Sequence, residues 1–172
     1  MIQNLMAYEE AGYKVVHKGE NFEIRYYEER IVIQTRYESG NSGFRKLYNY
    51  ISGQNQGGKK IEMTTPVTEL QDDNQMVMQF YLPARFNASS APLPADNSLE
   101  IAKIDAGYFA VIQYSGFASN KNFYKHAQIL KSSLDRDNIN ISSQPIKATY
   151  DGPFTLPNLR RNEAMYLVLW DK

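Results

Sequence analysis

The 172-residue chain contains no cysteine, one tryptophan, two histidines and no excess of either charge, with 19 basic and 19 acidic residues. The missing cysteines exclude disulfides, thiolate metal sites, iron–sulfur clusters and a thiol nucleophile. The zero net charge argues against a nucleic-acid binder that works by bulk phosphate attraction. No apolar run reaches transmembrane length, so no membrane span is expected. The N-terminal stretch MIQNLMAYEE has no basic segment followed by an apolar one, which leads us to expect a cytoplasmic protein. His17 and His126 lie too far apart in the chain to form a histidine pair at helical spacing, and neither a P-loop nor a dinucleotide fingerprint is present.

What the chain has instead is aromatic rings, 13 Tyr and 8 Phe. Tyrosine suits half-buried strands and pocket walls, because an apolar ring carries a polar tip. Alternation predicts strands over Tyr13–His17 and Phe22–Tyr26, joined by a turn at Lys18–Asn21, and a third strand over Ile31–Tyr37. A helix is predicted next, capped by Asn41 or Ser42 and closed by Ser52-Gly53. Phe44, Leu47, Tyr48 and Ile51 fall on one of its faces, a spacing that marks core more often than a ligand wall. Strands are expected over Lys60–Leu70 and Gln75–Leu82, followed by a long connection from Pro83 to Ser98.

The second half repeats the first. At a shift of 79, Val32-Ile33-Gln34 falls on Val111-Ile112-Gln113 and Phe44 on Phe123. A second helix over Ser119–Asp135 carries Phe123, Ala127, Leu130 and Leu134 at helical spacing, and strands follow near Ile146–Tyr150 and Ala164–Trp170. We expect one α+β domain over 1–172, with repeats over about 22–82 and 101–170. Strand carboxylates Glu23, Glu62, Asp151 and Glu163 are the groups available for general acid–base work if one faces the interior.

Several segments in register resemble the SOUL/haem-binding protein family. They are Phe22–Tyr27, Phe44–Gly53, Lys60–Val67, Phe80–Pro83, Tyr150–Phe154 and Arg160–Glu163. The resemblance implies a distorted β-barrel of two pseudo-symmetric βαββ-like repeats with two long helices outside, similar to GyrI-like effector domains. It also implies a haem or free-base porphyrin ligand held by a non-enzymatic carrier or buffer. By position, the first helix presents Asn41, Phe44, Tyr48 and Asn49, and the late loop presents Phe154 and Thr155. Arg45 and Arg160 are the expected partners for ligand carboxylates, together with Lys46 and Arg161. Tyr26 stands where some members have a histidine and is the one candidate iron ligand. Two alternatives are a GyrI-like small-molecule module or hydrolase with an interior carboxylate, and a protein-interaction module using the 83–98 connection. The sequence leaves the oligomeric state open.

Overall fold

The predicted hairpin, third strand and two helices are present in order, and strands over Glu9–Glu10 and Leu99–Ile104, which the sequence pattern did not single out, join them. The computed structural model describes residues 8–38 and 42–171. The elements are β1 (Glu9–Glu10), β2 (Tyr13–Lys18), β3 (Glu23–Tyr27), β4 (Arg30–Tyr37), α1 (Ser42–Ile51), β5 (Thr64–Thr65), β6 (Val67–Asp72), β7 (Gln75–Tyr81), β8 (Leu99–Ile104), β9 (Gly107–Tyr114), α2 (Asn120–Arg136), β10 (Ile146–Thr149) and β11 (Asn162–Val168). The strand expected over Lys60–Leu70 is two pieces, β5 and β6, separated by Pro66, which has no N–H to give a ladder. The first helix is shorter than the resemblance implies, at 10 residues, while α2 has 17.

Nine strands form one curled sheet in the order β2-β3-β9-β11-β10-β6-β7-β4-β8, and β1 pairs with β5 apart from it. The order reads symmetrically about the β10–β6 seam: β9-β11-β10 on one side answers β4-β7-β6 on the other. The outer strands are exchanged. β3 leads into β4 along the chain but pairs with β9, and β8 leads into β9 but pairs with β4.

Alternation then sets the two faces of the sheet. Ile33, Met78 and Phe80 face α1, and Ala110, Ile112, Ala164, Tyr166 and Val168 face α2. Register carries one face across the seam, because Phe80 pairs with Val67, Met78 with Glu69, Glu69 with Lys147, and Lys147 with Ala164. Both helices therefore lie on the same face. Between them runs a strip of sheet that presents Val67, Glu69, Lys147 and Thr149.

The helix ends follow from local chemistry. Ser119 caps α2 by accepting the Asn122 N–H at 3.2 Å. Gly53, at φ +119°, ends α1 in a Schellman arrangement in which Gln54 N–H donates to Asn49 O at 3.0 Å and Gly53 N–H to Tyr50 O at 3.2 Å.

At a shift of 79 in the strands, buried Val32 and Ile33 answer buried Val111 and Ile112. In the helices the burial pattern matches at 80: Gly43, Leu47 and Tyr50 take the inward places of Phe123, Ala127 and Leu130. The second half has one more residue between strand and helix. Phe123 thus corresponds in space to Gly43, not to Phe44. A Cβ on Gly43 would meet Tyr37 Cδ1 at 3.2 Å, so the helix lies close to the sheet there.

Candidate functional site

The predicted stripe on α1 splits in two. Leu47 and Ile51 are buried in the core, joined by Tyr50, whose hydroxyl donates to Pro92 O at 2.6 Å. Phe44 and Tyr48 are turned out of it, 42% and 52% exposed. Their rings stack at 6.1 Å between centroids with planes 13° apart, and Phe44 meets Phe80 edge-on at 5.2 Å.

These two rings form one wall of a cleft of about 990 Å³. Ile51, Ile61, Met63, Val67 and Met78 extend its apolar lining. The seam residues Glu69, Lys147 and Thr149 give the floor, and Tyr150–Pro153 closes one end, with Ala118 beside it. Lys60 stands at the rim.

The floor is charged but internally matched. Lys147 Nζ lies 3.3 Å from Glu69 Oε2 and donates to Asn120 Oδ1 at 3.2 Å. Tyr37 donates its hydroxyl to Glu69 Oε1 at 2.5 Å. Burial, and then the bond to Glu69, push the Tyr37 phenol above its ordinary range.

The loop that closes the cleft is held by two arginines. Arg160 Nε donates to Thr155 O and its Nη2 to Pro153 O, each at 2.8 Å. Arg161 N–H donates to Asp151 Oδ2 at 2.6 Å. The Arg161 side chain turns to the opposite face, where it bonds Glu10 and Glu163.

Glu163, fully buried, is the hub of that opposite face. It accepts from Arg25 Nη1 at 3.0 Å, from the Tyr150 hydroxyl at 2.9 Å and from Arg161 Nε and Nη2 at 3.1 and 2.9 Å. Burial is the largest influence on Arg25 and works against its charge, but Glu163, Tyr27 and Glu23 together outweigh it and hold the guanidinium charged.

The sequence-predicted residues are distributed as follows. Phe44 and Tyr48 line the cleft. Arg45 is exposed on α1 and Asn49 half-buried, and neither lines it. Asn41 lies outside the described residues. Phe154 projects into water just beyond the cleft's end, and Thr155 and Arg160 build the loop rather than face the cleft. Lys46 donates to Ser98 Oγ, away from it. Tyr26 packs at 5.1 Å on Tyr108 and borders a second hollow lined by Tyr13, Arg30 and Tyr81, so it is not brought to Phe44 and Tyr48. Glu62 is exposed and paired with Arg85, and Glu23 is paired with Arg25. Neither histidine lines the cleft: His126 stacks on Tyr114 at 4.1 Å, and His17 packs on Trp170 at 5.0 Å.

Lys60 and Lys147 were not singled out in the sequence. Only the β6–β10 register and the course of the 52–63 segment bring them here, and neither leaves a periodic signal.

The sequence model of a family described as "SOUL heme-binding protein" matches residues 8–167. Heme-binding protein 1 of Xenopus laevis is 29% identical, over 90% of this chain and 89% of its own. Human heme-binding protein 2 is 26% identical, over 86% and 78%. Among solved structures, the EcmrR C-terminal domain superposes with a TM-score of 0.63 at 16% identity, covering 91% of this chain and 98% of that one. A structure titled as a hydrolase from Listeria innocua gives 0.63 at 7% identity, covering 90% and 94%. These two likenesses concern the fold.

Proposed function

Because the chain belongs to the SOUL heme-binding protein family, we propose that the cleft between α1 and the 150–153 segment takes a tetrapyrrole, haem or free-base porphyrin, and that the protein is a non-enzymatic carrier or buffer. One observation carries this reading. Phe44 and Tyr48 are large, flat and half exposed, on the wall of a cleft of about 990 Å³ whose sides are largely apolar and whose floor is charged. That volume is at the upper end of the ~300–1,000 Å³ usual for small-molecule sites. Stacked rings suit a planar macrocycle, and Met63 and Met78 adapt their shape to it.

The charged groups fit the macrocycle's carboxylates. Lys60 at the rim would pair with one of them as a point charge, while Lys147 on the floor is already matched to Glu69 and would have to share its charge. For iron the cleft offers no histidine and Tyr26 stands elsewhere; the ligand types on its walls include Tyr48, Met63 and Met78, and this reading gives them to the faces of the ring. Affinity therefore comes from the faces and carboxylates of the ring, and iron adds little.

A hydrolase reading needs a carboxylate that can accept a proton from substrate. Glu163 is enclosed by Arg25, Arg161 and Tyr150, Glu69 is held by Tyr37 and Lys147, and Asp151 at the end of the cleft accepts the Arg161 N–H. These bonds favour binding over chemistry.

Titration with hemin and with protoporphyrin IX tests the proposal. Micromolar binding is expected for both, matched within a factor of about three. Tyr48→Ala should weaken both at least tenfold, or ~1.4 kcal/mol, and Tyr26→Phe should leave both unchanged. Absorption spectra that do not move at about 50 μM protein would exclude useful affinity.

A further inference from the structure

Four large apolar side chains stand in water at one end of the molecule. Phe117, Phe154, Leu156 and Leu159 are 65%, 98%, 62% and 68% exposed. They come from two loops, the turn before α2 and the connection from β10 to β11. Gly116 N–H joins these loops by donating to Pro157 O at 2.8 Å. Arg160 sits among them: its Cζ is 5.9 Å from the Phe117 ring, and it bonds the carbonyls on either side of Phe154. Scattered exposed apolar residues need no explanation, but a contiguous group of this size marks an interaction surface.

Charge identifies the partner. The protein as a whole is neutral, yet from 106 to 134 and from 152 to 162 the sequence has no Asp or Glu. Of the basic residues in these two segments, Lys131 is paired with Asp135 and Arg161 with Glu10 and Glu163, which leaves Lys121, Lys125 and Arg160 for this surface. Lys121 and Lys125 are exposed on the first two turns of α2, the helix that follows Phe117 in the chain. Asp151 is the acidic group at the root of the loop, and it is bonded to the Arg161 N–H.

Several backbone groups of the loops are already satisfied. Thr155 N–H donates to Gly152 O, and Leu159 N–H to Leu156 O. Side chains can therefore enter an apolar medium without stripping those backbone groups of partners.

We propose that this end of the protein docks on the surface of an anionic lipid bilayer, with Phe117, Phe154, Leu156 and Leu159 in the interface and Lys121, Lys125 and Arg160 over the headgroups. Ala118, Gly152 and Pro153 are shared with the cleft, so the docked protein opens its cleft beside the lipid. The proposal does not depend on the cleft's ligand being a tetrapyrrole.

Flotation of the full chain tests it, with vesicles of phosphatidylcholine alone and of phosphatidylcholine containing about 30% phosphatidylglycerol. The wild type should float with the anionic vesicles and scarcely with the neutral ones. Lys121→Gln and Lys125→Gln should each lower the anionic partition about fivefold. The triple change Phe154→Ser, Leu156→Ser and Leu159→Ser should lower it at least tenfold with an unchanged circular dichroism spectrum. Phe154→Ser alone, at the most exposed position, is the check should the triple variant fold poorly, and it should weaken binding in the same direction. Tyr48→Ala should float as the wild type does, whatever it does to porphyrin binding. A wild type that stays unbound, floats equally with both vesicles, or is matched by the serine variants overturns the proposal.

Discussion

Tyr150 donates its hydroxyl to Glu163 Oε2 across 2.9 Å, and so ties the end of the cleft to the ion cluster on the sheet's other face. Burial, reinforced by the Glu163 charge, pushes the phenol far above its ordinary range, so it remains a donor at any pH the fold survives. Tyr150→Phe should cost about 1–2 kcal/mol. Glu163→Gln should cost more, about 3 kcal/mol, because Arg25 and Arg161 lose the charge that balances them. Urea unfolding measures both. The double variant should lose less than the two losses added, as partners in one network do.

A group of buried phenols makes the fold sensitive to base. Burial pushes Tyr27 and Tyr50 up to about 12, and Tyr114 higher still. In the unfolded chain each ionises near its ordinary value of about 10. Their stabilising effect is whole below that pH, and is lost as pH climbs from there through the raised values of the fold. Stability should hold flat from neutrality to about pH 9.5, then fall by about 1.4 kcal/mol per pH unit for each such tyrosine. Urea midpoints on both sides of pH 10 check this, and Tyr27→Phe should make the fall shallower.

Two neighbours on α1 should separate stability from binding. Leu47 is fully buried, so Leu47→Ala should cost about 2–5 kcal/mol through the cavity it leaves. Phe44 faces the cleft, so Phe44→Ala should cost about 1 kcal/mol, mostly its ring contacts with Phe80 and Tyr48. Thermal melts alongside porphyrin titration should show the opposite order for affinity.

Arg160 holds its loop through two main-chain carbonyls. Arg160→Ala should leave the core, and hence the urea midpoint, within about 1 kcal/mol of wild type. The 152–157 segment should then open locally and be cut faster in limited proteolysis. Cleavage at the wild-type rate would mean that the turn over 157–159 alone fixes the loop.

The sequence revealed what periodicity encodes. The β2–β3 hairpin, β4 and the buried face of α2 are legible because their apolar spacing follows 2.0 or 3.6 residues. The inward line of α1 is less so, because it begins at Gly43, which has no side chain to signal burial. The stripe of Phe44, Leu47, Tyr48 and Ile51 consequently reads as one face, although tertiary packing divides it. The single extra residue before α2 is likewise hidden in the turn, where ungapped matching of Phe44 to Phe123 conceals it. Lys60 and Lys147 reach the cleft through register and loop path, which are long-range properties that no local pattern states.

The exchange of β3 and β8 between the repeats reaches further than topology. Each half of the chain completes the sheet of the other. A nick in the 83–98 connection should therefore not release two working pieces. Alone, the first piece would expose the β4 edge that β8 covers, and the second the β9 edge that β3 covers. Mixed, the two peptides should rebuild one molecule by fragment complementation, as a strand-swapped dimer would if its two subunits had been sewn into a single chain.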